Sequence, residues 1–566
     1  MLPMLCCVLM APPTVDEASL AKMFQVYLDA EFKHHPAYAT AMGNHDYDDK
    51  LDDLSLKTRR KDHERNEEYL KDITGLEANG KVKIDLAIWR HALELQLWQT
   101  KHDDRFTYDP RVYGEYITDS VYALFTQSTL PRERNVANAA SRITYIPKVI
   151  AAAKESLKNP PKILTEIAIK RTQAAITFYS KDIYELAGET AATSELKKPC
   201  DAAVIALKEY VTWLEKELLP RSTGEWRLGK ERFAKKLELE LNAGLTAEQV
   251  IQEAEAEATR VERELYVIAK QLWFKDHPNA ALLPDDAAGR RKVVADVLEK
   301  IGEDRSTSES LLADTKKTVE GIRTFIREKK ILTLPEPDKC DIIEMPAFKR
   351  GYSVAYLENA PPLDSKAKSY YAVSPPLSEW SPEVSTAILK EYNKQMLQIL
   401  TIHEAYPGHY VQLEYANRNP SLIRKVLSSG VYIEGWAVYT EQMMLDQGYG
   451  NGNPALRMQQ LKFYLRAVLN AILDHHMHCS NWTDEQAMKL LMDRGFQTEG
   501  EALGKVQRAK QQSGQLSTYF VGRTAHYRLR VNVSRAHGDK FDLAKFHEAV
   551  LNEGSVPVKY LPELVK

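Results

Sequence analysis

The sequence predicts a mostly helical, all-α protein that carries one small β-ribbon. Apolar residues recur at spacings of three and four over long stretches, and helix-capping residues precede two of these stretches. Between residues 333 and 382, prolines instead separate short runs of aromatic and β-branched residues, which is typical of short strands. The chain contains no internal repeat and no low-complexity tract.

The clearest helix follows Thr246. The residues TAEQ form a capping box, in which Thr246 is the N-cap and Gln249 reaches back to it. A single apolar stripe then predicts a helix of about seven turns. Its members are Val250, Ala254, Ala258, Val261, Leu265, Ile268 and Leu272. The segment KIDLAIWRHALELQLWQTK, residues 83–101, predicts a second helix.

The predicted β-ribbon lies near residues 340–375 and comprises the runs CDIIE, YSVAYL and KSYYAV. A small sheet beside a helical cleft could offer an edge strand to an extended peptide. A ribbon with a purely structural role is the alternative. After the ribbon, Ser381 is a natural N-cap and Pro382 fits the first helical position, so we expect helix to resume there.

The composition is that of a globular protein, with 44% hydrophobic and 27% charged residues among 566. A net charge of −3 is too small to favour electrostatic binding to nucleic acid or to an anionic membrane. No apolar run reaches 18 residues, so we expect no membrane span. Oligomeric state does not follow from the sequence.

The N-terminal segment, residues 1–16, is apolar for about ten residues and resembles the core and cleavage end of a secretory signal. It lacks a positively charged start, so we expect a truncated signal and an exported protein, periplasmic or secreted. The alternative is an irregular N-terminus of a cytoplasmic protein. Residues 17–566 are expected to form a single helical domain.

The stretch TIHEAYPGHYVQ places Glu404 directly after His403, as in zinc proteases, but the next histidine comes six residues later rather than four. On a regular helix, residues six apart point about 120° apart. Pro407 disrupts helical hydrogen bonding, and Gly408 tolerates unusual backbone angles. We therefore expect a bulge or loop that brings His409 beside His403. Alternatively, the helix ends near Tyr406 and His409 begins an unrelated segment.

The segment VYIEGWAVYTEQMM would supply the carboxylate of a metal site. Glu434 lies 25 residues after His409, a length that suits a turn and a returning helix. Catalytic zinc is commonly held by two histidines and one carboxylate, with a fourth position open for water. Glu441, two turns beyond Glu434, would hold a histidine in place. The sequence therefore predicts Zn²⁺ bound by His403, His409 and Glu434.

The motifs HEAYPGH and EGWAVYTE resemble the domain-of-unknown-function 885 family. By this resemblance the protein would be a zinc protein, akin in fold to helical metallopeptidases such as thimet oligopeptidase, angiotensin-converting enzyme and carboxypeptidase Taq. The resemblance extends from about residue 20 to the end, and includes PAYATAMGNHDYDDKLDD and FHEAVLNEGSVPVKYL. It implies a large two-lobed helical fold around a deep channel, with the three ligands named above and Glu404 as general base.

Two segments depart from the pattern that the resemblance leads us to expect. The chain has DHHMH at residues 474–478 where DTGLH is expected, and SGQLSTYFVG has Ser513 in place of a proline. Neither change touches the expected ligands, so both bear on substrate preference. Tyr519 is the first candidate to stabilise the oxyanion of a tetrahedral intermediate, and His478 is the second. Arg530 could clamp a substrate carboxylate.

Three functional hypotheses follow. The first is a zinc metallopeptidase that cleaves peptides with metal-activated water and Glu404 as general base. The second is a metal-dependent hydrolase of non-peptide amides or small conjugates that uses the same residues. The third is a non-catalytic peptide-binding protein, which would have no need for Glu404.

Overall fold

The computed structural model describes residues 14–190, 194–279, 281, 283–345, 350, 354–377 and 380–566. Helices make up 72% of the structure, and the described residues contain one three-stranded sheet. The predicted all-α class with a small β-ribbon is therefore confirmed. Most of the expected signal, residues 1–13, lies outside the described residues.

The chain folds into two compact units. The first unit comprises the residues up to Pro160, then Thr165–Ser222 and Pro420–Leu427. The second unit comprises Pro161–Leu164, Thr223–Asn419 and Ser428–Lys566. The single domain expected over residues 17–566 and the channel implied by the resemblance stay predictions.

The first unit is built from helices. They are α1 (Glu17–His34), α2 (Pro36–Met42), α3 (Leu56–Thr74), α4 (Gly80–His102), α5 (Arg105–Tyr108), α6 (Arg111–Gly114), α7 (Ser120–Thr126), α8 (Arg132–Ile143), α9 (Ile146–Ser156), α10 (Lys162–Thr177, which begins in the second unit), α11 (Ile183–Ala187), α12 (Lys197–Trp213) and α20 (Leu422–Val426). The predicted helix at residues 83–101 corresponds to α4.

A buried arginine ties the segment after α2 to the core of the first unit. Arg142, on α8, is fully buried. Its guanidinium donates to the carbonyl oxygens of Lys50 at 2.9 Å and Ser120 at 2.6 Å, and to the hydroxyl of Thr40 at 2.9 Å. A buried guanidinium needs several acceptors, and here backbone carbonyls supply most of them. The stretch that contains PAYATAMGNHDYDDKLDD thus has a structural role.

The second unit contains the sheet and the other helices. These are α13 (Lys230–Leu241), α14 (Ala247–Asp276), α15 (Ala287–Ile301), α16 (Leu311–Lys329), α17 (Pro382–Glu391), α18 (Lys394–Glu404), α19 (His409–Asn417), α21 (Gly430–Asp446), α22 (Pro454–Cys479), α23 (Asp484–Lys489), α24 (Glu499–Gln511), α25 (Thr518–His537), α26 (Leu543–Asn552) and α27 (Leu561–Leu564). Helix α14 packs along α22, and α21 packs along α25. No helix of the described residues is both long enough and apolar enough to cross a bilayer.

Helix α14 confirms the capping box predicted at Thr246, since both of its reciprocal hydrogen bonds are present. The predicted apolar stripe is correct as far as Leu265. Beyond it the buried positions are Ala269 and Trp273 rather than Ile268 and Leu272. The buried face of this long helix therefore continues in steps of four where the sequence pattern suggested a step of three.

The helix predicted after Ser381 is interrupted before the candidate site. Ser381 caps α17 as expected, but α17 ends at Glu391. Asn393 then caps α18, because its side-chain oxygen accepts hydrogen bonds from the backbone N–H groups of Gln395 and Met396. Helix α18 is therefore a separate segment that leads directly to His403 and Glu404.

The sheet contains β1 (Cys340–Glu344), β2 (Ala355–Glu358) and β3 (Ser369–Val373) in the order β1-β3-β2. Strand β3 is parallel to β1 and antiparallel to β2. All three predicted runs form strands, although the start of YSVAYL falls at residues outside those described. Strand β2 is an edge strand, so one side of its backbone is not paired within the sheet.

Candidate metal centre

The proline-glycine step separates two helices. Helix α18 ends at Glu404 and α19 begins at His409, so Ala405–Gly408 form the connection. A Cβ atom on Gly408 would lie 1.9 Å from the carbonyl oxygen of His403, so only glycine fits this close approach. The loop brings the rings of His403 and His409 to a centroid distance of 4.7 Å. The predicted loop, which places the second histidine beside the first, is therefore observed.

Helix α21 fixes this loop from the other side. The indole Nε1 of Trp436 donates a hydrogen bond of 2.9 Å to the carbonyl oxygen of Pro407. Trp436 is fully buried, as is Tyr406 at the start of the loop. The tryptophan of EGW thus holds the proline of PGH, so the two motifs are in direct contact in the fold.

Three potential metal ligands converge where α18, α19 and α21 meet. Oε2 of Glu434 lies 3.9 Å from Nε2 of His403 and 3.5 Å from Nε2 of His409. One ligand atom from each residue lies within 4.8 Å of the other two. In a tetrahedral zinc site with bonds of about 2 Å, ligand atoms are about 3.3 Å apart. The three side chains are therefore close to the spacing that one metal ion requires.

A carboxylate stands behind the first histidine. Nδ1 of His403 lies 2.7 Å from Oε1 of Glu441, and Glu441 is fully buried. In the neutral tautomer with hydrogen on Nδ1, the ring donates to Glu441 and presents its Nε2 lone pair toward Glu434. Burial, together with the neighbouring His409, lowers the pKa of His403 to about 3. The imidazole is thus held neutral, the state in which it can bind a metal.

Glu404 is oriented by the edge strand of the sheet. Its Oε2 accepts a hydrogen bond of 3.1 Å from the backbone N–H of Leu357 on β2. The carbonyl oxygen of Val354 accepts a hydrogen bond from the N–H of Ser374, on the side of β2 that faces β3. Backbone groups alternate between the two sides of a strand, so the N–H of Leu357, three residues further, points away from β3. Burial raises the pKa of Glu404 to about 7. The outer edge of β2, suggested above as a site for an extended peptide, therefore also holds this carboxylate.

Two glycines let α21 and α25 approach each other closely beside Glu434. A Cβ atom on Gly435 would lie 2.3 Å from the backbone carbon of Gly522, and one on Gly522 would lie 1.9 Å from the carbonyl oxygen of Val431. This contact brings the start of α25, with Tyr519, next to the site. The hydroxyl oxygen of Tyr519 accepts hydrogen bonds from Arg508 at 3.2 Å and Gln515 at 3.3 Å.

A cavity of about 220 Å³ opens beside the first histidine. Its lining includes four residues singled out from the sequence, namely His403, Glu404, Glu441 and Tyr519. It also includes three cationic residues that sequence reasoning missed: Arg466 on α22, and Lys505 and Arg508 on α24. No short motif marks these cations, because they come from two helices that meet only in the folded chain.

The structure places His478 outside this group. Its Nε2 lies 3.0 Å from the carbonyl oxygen of Ala509, and its ring stacks on Phe233 with centroids 5.4 Å apart. Burial lowers the pKa of His478 to about 4. Asn470 lines the cavity, and His478 lies on the same stripe of α22. The two residues are eight positions apart, so His478 lies about 12 Å further along the helix. Its position does not support the donor role predicted for it.

Two other residues singled out from the sequence also have structural partners away from the cavity. Asp474 accepts hydrogen bonds from the backbone of Gly514 and the hydroxyl of Ser517, both at 3.0 Å. The charge of Arg530 acts on the Tyr439 hydroxyl, where it offsets part of the rise in pKa that burial causes. Arg530 lies eleven residues beyond Tyr519 on α25, about 16 Å along the helix. It therefore does not occupy the position expected of a carboxylate clamp at this site.

Comparison with known proteins identifies the family. The model of the family described as bacterial protein of unknown function (DUF885) matches residues 36–565. The chain belongs to this family. No curated protein matches the chain.

Two solved structures share the fold of this DUF885 protein. One is a candidate lipoprotein of unknown function from Shewanella oneidensis, with 29% identity and a TM-score of 0.82 over 97% of this chain and 99% of that one. The other is a candidate lipoprotein from Colwellia psychrerythraea, with 18% identity and a TM-score of 0.78 over 96% and 97% of the two chains. The second likeness, at this low identity, concerns the fold alone.

Proposed function

We propose that this protein is a zinc-dependent hydrolase, and specifically a metallopeptidase with Glu404 as its general base. One observation carries the proposal: His403, His409 and Glu434 converge to within 4.8 Å beside a cavity that Glu404 also lines. A binding protein would need neither this donor set nor a carboxylate directed into the cavity.

The donor set fits zinc. Two imidazole nitrogens and one carboxylate oxygen are the ligands of a common class of catalytic zinc sites, which keep a fourth position for water. Glu441 behind His403 matches the carboxylate–histidine pairs that orient zinc ligands. A zinc ion bound here would lower the pKa of its water to about 7 and polarise the substrate carbonyl.

The chain's own groups provide the proton transfers. The Glu404 carboxylate, held by the N–H of Leu357, accepts the proton of the attacking water and delivers it to the leaving amine. The Tyr519 oxygen accepts two hydrogen bonds, so its own hydrogen is free to donate to the oxyanion that develops on the substrate. Neither step requires His478.

The second hypothesis, hydrolysis of small non-peptide amides, uses the same groups. The size of the cavity supports this second hypothesis. Its volume of about 220 Å³ lies below the range of about 300–1,000 Å³ typical of pockets for drug-sized ligands, so it suits a small substrate. Both hypotheses therefore predict a small acyl or amine portion inside the cavity. A panel that pairs short peptides with non-peptide amides of the same size separates them.

We also propose that the protein is exported. Its structural neighbours are described as candidate lipoproteins, and the apolar N-terminal segment resembles a secretory signal. Cell fractionation of the natural host with an antibody against the protein tests this proposal, and recovery in the cytoplasmic fraction alone would contradict it.

The proposed activity is tested by metal analysis of the purified protein and by assay on a library of short peptides. We expect one zinc ion per chain and cleavage that disappears in Glu404→Gln while zinc is retained. Glu328→Gln, at an exposed position of α16, is the matched control and should cleave normally. Undiminished cleavage by Glu404→Gln would remove this residue from its role, and protein without a bound metal would contradict the zinc site.

A further inference from the structure

The cavity beside the candidate metal centre is lined by three cationic side chains. Lys505 and Arg508 lie one turn apart on α24, and Arg466 projects from α22. They share the cavity with His403 and Glu404. A volume of about 220 Å³ brings all of these groups within reach of one small ligand.

Among the described residues, Arg466 alone of the three cations has a carboxylate partner. Arg466 lies 3.3 Å from Glu501 and 3.8 Å from Glu391. Arg508 donates to Gln515 at 2.6 Å and to Tyr519, both of which are neutral acceptors. Throughout the part of the chain that the structure describes, Lys505 has neither a hydrogen bond nor an ion pair. Among the described residues, Lys505 and Arg508 therefore line the cavity without a carboxylate at contact distance.

Lys505 and Arg508 are half-buried, so they lose part of their hydration, and an anionic ligand would offset that loss. Removing an ammonium or guanidinium from water costs free energy that a hydrogen-bonded counter-ion normally offsets. Burial, with Arg466 and Arg508 nearby, lowers the pKa of Lys505 to about 7, in accord with this cost. An anionic group bound between Lys505 and Arg508 would satisfy both cations.

We propose that Lys505 and Arg508 form a subsite for a substrate carboxylate, so that the enzyme prefers short peptides or amides with a carboxylate near the scissile bond. This inference rests on the proposed function, because it locates the scissile bond at the metal centre. Carboxylate is the anion that peptides themselves supply, either at the C-terminus or on an acidic side chain. Arginine and lysine together suit it, one as a directional fork and the other as a mobile point charge.

The subsite would also couple binding to the reaction. Arg508 donates to the Tyr519 hydroxyl, and Tyr519 is the proposed oxyanion donor. A carboxylate at Arg508 would therefore sit one hydrogen bond away from the group that contacts the substrate carbonyl. Substrates with a carboxylate at the right distance would be bound in a defined orientation, which lowers the entropic cost of reaching the reactive geometry.

A binding experiment tests the subsite without requiring turnover. The full chain carrying Glu404→Gln is titrated by calorimetry with N-acetyl-alanyl-alanine and with its C-terminal amide. A third probe, N-acetyl-alanyl-glutamic acid α-amide, carries its carboxylate on the side chain only. We expect at least one carboxylate probe to bind about tenfold or more tightly than the uncharged amide. The better of the two identifies the C-terminus or the acidic side chain as the source.

Variants assign the preference to the subsite. Lys505→Met, in the Glu404→Gln background, should abolish the preference for the carboxylate probe, whereas Lys505→Arg should retain most of it. Lys489→Met, at an exposed position of α23, is the matched control and should leave the preference unchanged. Circular dichroism of each variant checks that it folds, and Lys505→Arg keeps the test decisive if Lys505→Met does not.

Three results would overturn the subsite. They are equal binding of the acid and amide probes, a preference that survives Lys505→Met in a folded protein, and no saturable binding of either carboxylate probe. Failure of the proposed function looks different. In that case no substrate is cleaved by the native protein, while the carboxylate preference and its loss in Lys505→Met persist in the binding experiment.

Discussion

Replacing Gly522 with alanine should separate the two helices that form one side of the site. A Cβ atom there would lie 1.9 Å from the carbonyl oxygen of Val431 and 2.6 Å from the Cα of Gly435. Ordinary contact begins at 3.4 Å, so α21 and α25 must move apart by about 1.5 Å. Tyr519 precedes Gly522 by one turn and Glu434 adjoins Gly435, so this movement displaces both. We expect Gly522→Ala to lower the free energy of unfolding by about 1–3 kcal/mol through overpacking.

The effect on function should exceed the effect on stability. A displacement of about 1 Å at a catalytic group can cost about 100-fold in rate. We therefore expect kcat/KM to fall by about that factor under conditions where the variant is fully folded. Zinc affinity, measured by competition with a chelator, should also weaken, because Glu434 moves with α21.

Gly504→Ala is the matched control for this experiment. Gly504 lies within α24, is exposed, and has no heavy atom within 4 Å of the position of an added Cβ. Alanine there should raise the free energy of unfolding by about 0.5–1 kcal/mol through helix propensity alone. Urea denaturation of both variants gives the comparison. If Gly522→Ala is as stable as the native protein and binds zinc equally well, the close helix contact does not position the site.

The remaining predictions concern single side chains. Glu404→Gln should lower kcat by about 10²–10⁴-fold without changing the zinc content, as measured by peptide assay and metal analysis. Glu441→Gln should weaken zinc binding by about 10–100-fold in a chelator competition, because His403 loses the carboxyl group that holds its Nδ1. His547 is buried between the Tyr439 hydroxyl and the Ile331 carbonyl, and burial lowers its pKa to about 3. The unfolded chain, with an ordinary pKa near 6.5, binds the proton first. Through this residue, the free energy of unfolding therefore decreases as the pH falls from about 6.5 toward 3. The decrease is about 2 kcal/mol between pH 6.5 and 5. In His547→Gln this decrease should be absent. If urea denaturation gives the variant and the native protein the same dependence of unfolding free energy on pH, the prediction is wrong.

The sequence predicted that His403, His409 and Glu434 would converge, because the motifs that carry them are short and local. His403, Glu404 and His409 are adjacent along the chain, and the break between them needs only the backbone properties of proline and glycine. Glu434 followed from one further motif at a plausible distance. The helices were predictable where caps and apolar spacing agreed, as in α14, and the prediction failed at Asn393, where a cap interrupts an otherwise continuous pattern.

The rest of the site depends on contacts between distant segments. Lys505 and Arg508 resemble any cations on an amphipathic helix, and their direction is set by the packing around α24. The hydrogen bond from Leu357 to Glu404 depends on which edge of the sheet faces α18. The alternation of apolar and polar residues along a strand does not specify that edge. His478 shows a different limit of the sequence, because a residue on the expected face of α22 lies too far along the helix to line the cavity.

The geometry of the site follows from backbone contacts that only particular residues permit. Gly408 lets the chain turn against the carbonyl of His403, and Trp436 holds that turn through the carbonyl of Pro407. Gly435 and Gly522 let α25 pack closely against α21, and α21 is the helix that carries Glu434. Each of these residues touches backbone atoms, where a side chain cannot adjust by rotating. A substitution at any of the three glycines should therefore move a whole helix, and disturb His403, His409 and Glu434 more than a change in the cavity lining would.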